Sequence, residues 1–200
     1  MLAAIGLTGA AAGAIGVQNP APVDYLAIPL AFAAANTFEW GVHKGWMHRA
    51  RWPRGFYRKH TLQHHKLYSH DDMAMKSGRE LAFVLLSAPT LGIIIAASVI
   101  FALSIRPVLG ANAAWMFFAT ESLYIVFAEV MHACYHLRED HPVRRLPWVG
   151  WWIRLLAAPH ILHHDMRLMR KWNFNIGIPF ADHIFRTFTL TPHPQNKEPT

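Results

Sequence analysis

The sequence predicts an all-α integral membrane protein: about four transmembrane helices in two hairpins, with a helical cap on the cytosolic side. Three observations predict it. The 200 residues are 53% hydrophobic and only 16% charged, whereas an average soluble domain carries about 25% charged residues. The apolar residues gather in four long segments, 1–17, 25–42, 81–105 and 109–131. Of the 19 lysines and arginines, all but Arg106 fall in two blocks, 44–79 and 138–197.

A span needs about 20 apolar residues. Segment 1–17 is marginal by that measure, and it lacks the basic start of a cleavable leader. Asn19, Pro20, Ala21 and Pro22 then stop a helix and turn the chain. Segment 25–42 is the returning helix of the first hairpin. Segment 81–105 contains Pro89, which is expected to kink it. Arg106 and Pro107 supply the turn into segment 109–131. If both turns face outward, the two basic blocks, both termini and the polar regions 43–80 and 132–191 are all cytosolic, which is the positive-inside arrangement. Glu121 is an odd carboxylate for the fourth segment. Trp148, Trp151 and Trp152 mark either an interfacial helix or one packed on the protein's own core. The tail from Pro192 reads as disordered.

Size allows one domain over 1–200. The net charge of +7 does not imply nucleic acid, because the basic blocks are separated by apolar runs and do not line one soluble face. The single Cys134 excludes an internal disulfide and a thiolate metal site.

Ten of the 14 histidines form four spaced groups. His43 and His48 read H-x4-H; His60, His64 and His65 read H-x3-HH; His132 and His136 read H-x3-H; His160, His163 and His164 read H-x2-HH. Positions i, i+3 and i+4 share a helix face, so each group is expected to present its imidazoles to one point. The H-x4-H pair is the exception, since five residues turn about 140° beyond a full circle in an α-helix. Ten imidazoles suit two ions in one pocket. Nitrogen ligation admits iron, copper, nickel or zinc and excludes calcium and magnesium. A haem bundle needs histidines deeper in the spans. A zinc hydrolase of the HExxH kind lacks its motif, and a metal transporter would place ligands at the midplane. His70, His141, His183 and His193 fall outside the groups and are expected to be solvated.

The four groups resemble the histidine boxes of the fatty acid hydroxylase/sterol desaturase superfamily of membrane di-iron enzymes. The resemblance extends to residues 173–187, where members carry a stretch like N-[FY]-G-x-x-x-x-x-W-D-x-x-F-G-T. Asn173, Asp182, Phe185 and Thr187 match it in register. Asn175 replaces the first glycine, and asparagine can adopt the left-handed conformation glycine supplies. Ala181 replaces the tryptophan and Arg186 the second glycine.

That resemblance implies two iron ions, for which zinc could substitute, and O2 as co-substrate. It implies hydroxylation of a lipid C–H bond, foremost on a fatty acyl chain, with carotenoid hydroxylation or lipid desaturation as alternatives. A non-catalytic, metal-holding membrane protein is the alternative of another class. No flavin or haem module fits in the chain, so electrons must come from a separate acidic donor, a ferredoxin or small haem protein. Metal-bound imidazoles usually donate their second N–H to a carboxylate or a carbonyl. Glu39, Glu129 and Asp165 lie close in sequence to His43, His132 and His164, and Asp182 comes from the terminal motif. These four are the candidate carboxylates, although such residues also serve as caps and ion pairs.

Overall fold

The computed structural model describes residues 2–192, and His193 and all of the expected disordered tail after Pro192 lie outside them. The described residues are helical without a strand. They fall into two compact units, Met1–Ala35 with Leu86–Val130, and Asn36–Leu85 with Met131–Thr200.

The first unit holds α1 (Leu2–Gly16), the start of α2 (Ala27–Val42), all of α6 (Ala88–Leu109) and most of α7 (Ala111–Tyr135). Helices α6 and α7 are long and apolar enough to cross a membrane. Helix α6 leaves Ile93, Ile100, Leu103 and Val108 exposed, which water would penalise and lipid would not. Helices α1 and α2 have 15 and 16 residues, short of the length that crosses by itself.

The third apolar segment is not one kinked helix. It is a short α5 (Leu81–Val84) followed, after a break, by α6. Pro89 sits in the first turn of α6, where its missing N–H costs nothing, and Ser87 caps that turn by accepting from the Thr90 N–H. The freed Leu86 N–H at the break is taken by the Glu129 carboxylate at 2.8 Å. The turn expected at Arg106 and Pro107 lies further on: the helix absorbs both and ends at Gly110, whose φ of 87° suits only glycine. Within this unit a Cβ on Gly13 would lie 2.7 Å from Ala119 Cβ, so glycine permits that close packing of α1 on α7. The Ser98 hydroxyl of α6 donates to Glu121 of α7, which gives the half-buried carboxyl a partner.

The second unit contains the histidine groups. It comprises the end of α2, α3 (Gly55–Lys59), α4 (His65–Leu67), α5, the last turn of α7, α8 (Pro142–Arg145), α9 (Pro147–His163) and α10 (Phe180–Ile184).

Candidate metal centre

Two π-helical turns set the first two histidine groups. Helix α2 runs into a π turn over His43–Met47, closed by the His48 N–H on the His43 carbonyl at 3.2 Å. Helix α3 runs into another over His60–His64, closed by the His65 N–H on the His60 carbonyl. A π-helix bonds i to i+5, so the spacing that is out of register in an α-helix is in register here. The His43 and His48 rings stack with centroids 4.9 Å apart. Helices α7 and α9 supply the rest, with His136 just beyond α7 and His164 capping α9.

All ten histidines are buried in the second unit. One set is His43, His48, His60, His65 and His163; another is His64, His132, His136 and His160; within each set, one candidate ligand atom per residue lies within 4.8 Å of the others. His164 adjoins the second set, its Nε2 3.2 Å from His64 Nε2 and 3.1 Å from His160 Nε2. The expectation that each sequence group serves one point is therefore corrected. His60 and His65 face the first set while His64 faces the second, and His163 leaves His160 and His164. Neighbouring residues on a helix point about 100° apart, so a doubled histidine reaches two points.

Backbone carbonyls fix the tautomers. Nδ1 of His163 donates to the Trp172 carbonyl at 2.8 Å, Nδ1 of His164 to Tyr68 at 2.7 Å, and Nδ1 of His136 to Met73 at 2.8 Å. Nδ1 of His43 donates to the Phe174 carbonyl. A neutral imidazole that donates from Nδ1 carries its lone pair on Nε2. The lone pairs of His43, His136 and His163 each face a second Nε2: that of His60 at 2.7 Å, of His160 at 3.4 Å and of His48 at 2.8 Å. Nitrogens this close share either a proton or a cation, and imidazole nitrogens bind such metals at about 2.0–2.1 Å. The donor set therefore fits two ions. Burial, with the neighbouring imidazoles adding to it, holds His43, His48, His60, His65, His160 and His164 well below the usual histidine range. Burial likewise takes His136 and His163 down to about 4, against the opposing pull of their carbonyl partners. The lone pairs stay free of protons at neutral pH.

The candidate carboxylates make these contacts. Asp165 accepts from the Arg167 guanidinium, with Arg167 Nε 3.0 Å from Oδ1, and that pairing holds its carboxyl near 2. It orders a turn after α9 and has no hydrogen bond to a histidine among the described residues. Glu129 bonds the Leu86 N–H in the first unit. Glu39 accepts from the Asn175 side-chain amide at 2.9 Å. Asp182 is fully buried and accepts from the Phe174 and Asn175 N–H groups and from the Thr187 hydroxyl, at 2.9, 2.7 and 2.6 Å. Burial raises its pKa and these three donors pull it back down. Asp182 thus fixes the peptide that presents the Phe174 carbonyl to His43.

Asn173 does related work. Its φ of 59° turns the chain between Trp172 and Phe174, whose carbonyls serve His163 and His43. Its amide is locked by the Pro159 and Thr189 carbonyls and the Thr189 N–H. The left-handed residues of this motif are Asn173 and Arg186 and not, as expected, Asn175. Asn175 spends its side chain on the Asn36 carbonyl, Glu39 and the Asp182 N–H. Asn36, fully buried, donates to the Ile178 carbonyl and accepts from the Ala181 N–H. Sequence reasoning passed over Asn36 and the four orienting carbonyls. An asparagine in an apolar helix is the one signal that was available, since a carbonyl has no residue signature.

Of the remaining histidines, His70 is exposed beside Asp71, His141 caps α8 by accepting from the Val143 N–H, and His183 stacks on Phe188. A pocket of about 430 Å³ reaches His48 between Arg49, Tyr57, Thr61, Met169 and Arg170. Among comparisons with known proteins, a family model described as fatty acid hydroxylase matches residues 28–187. No curated protein and no solved structure matches the chain.

Proposed function

The chain belongs to the fatty acid hydroxylase family, and on that premise we propose that it is a membrane di-iron oxygenase hydroxylating a C–H bond of a lipid, foremost a fatty acyl chain. The family is one of oxidoreductases. The observation that carries the reading is the convergence of buried, carbonyl-oriented Nε2 lone pairs into two sets. His43, His48, His60, His65 and His163 would hold one iron; His64, His132, His136, His160 and His164 would hold the other.

When bound, the two irons supply the O2-derived oxidant that an unactivated C–H bond requires. The chain's own contribution is orientation and exclusion. The Trp172, Phe174, Tyr68 and Met73 carbonyls hold four imidazoles in one tautomer, so no reorganisation is needed when metal binds. Tyr68 and Tyr135 pack their rings on His136 and His160 and keep water from that side. The apolar helices of the first unit keep the chain in the bilayer that supplies a lipid. Two hairpins of spans, with both termini and the centre on the cytosolic side, fit the basic blocks.

Metal analysis of the purified protein tests the centre: about two irons per chain in the wild type, and about one in His163→Ala and in His64→Ala, each losing a different ion. A bound haem, or a single ion in the wild type, overturns it. Lipid extracts with and without the gene test the activity. A gain of one oxygen on an acyl chain is the expected result, whereas oxygen on a C40 pigment makes the chain a carotenoid hydroxylase.

Electrons would come from a separate acidic protein, a ferredoxin or small haem protein. The pocket at His48, flanked by Arg49 and Arg170, joins a basic patch to a histidine of the centre. Attraction between opposite charges is screened over about 8–10 Å at physiological salt. The donor-supported rate is therefore expected to fall as ionic strength rises while reduction by dithionite does not, and a salt-independent rate would remove the steering.

A further inference from the structure

Helix α9 is apolar on all sides. Over its 17 residues, Pro147–His163, Arg154 is the only lysine, arginine, aspartate or glutamate. One face, with Ile153, Leu156, Ala157, His160 and His163, is buried in the second unit. A second stripe carries Trp148, Trp151, Trp152 and Leu155, at positions i, i+3, i+4 and i+7, and these are 81, 48, 51 and 48% exposed. Such a stripe is one helix face. A water-facing helix does not carry three tryptophans and a leucine side by side without an occupant.

We propose that this face of α9 lies in the headgroup layer of the bilayer, so that the helix carrying His160 and His163 is itself a membrane-surface element. Three observations favour lipid over a second copy or another protein. Tryptophan is the residue that prefers the boundary between headgroups and acyl chains. The helix is about 26 Å long, shorter than a span, and its one charged residue, Arg154, belongs at the headgroup level, so it lies along the surface. Arg154, exposed on the same helix, borders the stripe. A cation at that edge suits a lipid phosphate, and it would repel its own image across a symmetric protein contact.

Photo-crosslinking in native membranes tests the surface without relying on activity. Trp148 and Trp152 are each replaced by p-benzoylphenylalanine, an aromatic of similar bulk at an exposed position. Exposed Glu139 serves as the reference site. Phospholipid adducts several-fold above the Glu139 level at both positions are expected. A crosslinked second copy, an adduct on another protein, or yields no higher than at Glu139 would each overturn the proposal. Fluorescence needs no such replacement: lipids brominated near the headgroup should quench the unmodified protein more than its Trp148→Phe/Trp151→Phe/Trp152→Phe variant. Equal quenching counts against the lipid face. Neither readout depends on iron or turnover, so failure here leaves the proposed activity standing, and the converse holds.

Discussion

Arg186 stands at a φ of 55° with its side chain exposed, at a position where the family's pattern carries glycine. A non-glycine residue in the left-handed region costs about 1–2 kcal/mol, and glycine returns part of that through its extra unfolded-state freedom. Arg186→Gly is therefore expected to stabilise the fold by roughly 0.5–1 kcal/mol, read as a raised unfolding midpoint. An unchanged or lower midpoint would show that the guanidinium makes up the difference. The same loop shows what single residues revealed in advance. Asp182 was legible because a family motif marks it, but its work is to hold a carbonyl, two steps from the histidine it serves. Asp165 was picked for its place beside His164, and a salt bridge two residues away claimed it. Adjacency in sequence says little about which way a carboxylate turns.

Helix type decides how the histidine boxes work. All ten ligand candidates could be counted from the sequence, yet their division into two sets could not, because it depends on π turns that no propensity rule marks. The third apolar segment shows a similar limit: hydropathy registers its length but not the break that Ser87 and Pro89 place before α6. The π turn at His43–Met47 can be tested at Gly45, where an added Cβ would meet nothing within 4 Å. Gly45→Ala should leave the metal content unchanged. Inserting an alanine after Gly45 makes the pair i, i+6, which neither an α-turn nor a π-turn brings into register. That insertion should lose the iron of the first set and keep the second, measured as iron per chain. Retention of both irons would mean that the spacing is not what brings His43 and His48 together.

Ten imidazoles packed into one unit make the molecule as a whole sensitive to acid. In the unfolded chain each histidine takes up a proton near its ordinary pKa of about 6.5. In the fold, burial holds His136 and His163 near 4, and burial with mutual repulsion holds neighbours such as His60 and His164 well below their ordinary value. Between about 6.5 and 4 the unfolded state thus binds more protons than the native one, so stability falls as pH falls through that window. The slope is about 1.4 kcal/mol per pH unit for each such histidine. The metal-free protein in detergent should accordingly show its unfolding temperature dropping steadily from pH 7 to pH 5. The iron-loaded protein should resist over the same range, because metal binds the folded state alone and competes with protons for the same lone pairs. A metal-free protein as stable at pH 5 as at pH 7 would mean that the imidazoles are solvated or charged when folded. The two-ion centre would then lose its physical basis, because its lone pairs must be free before metal arrives.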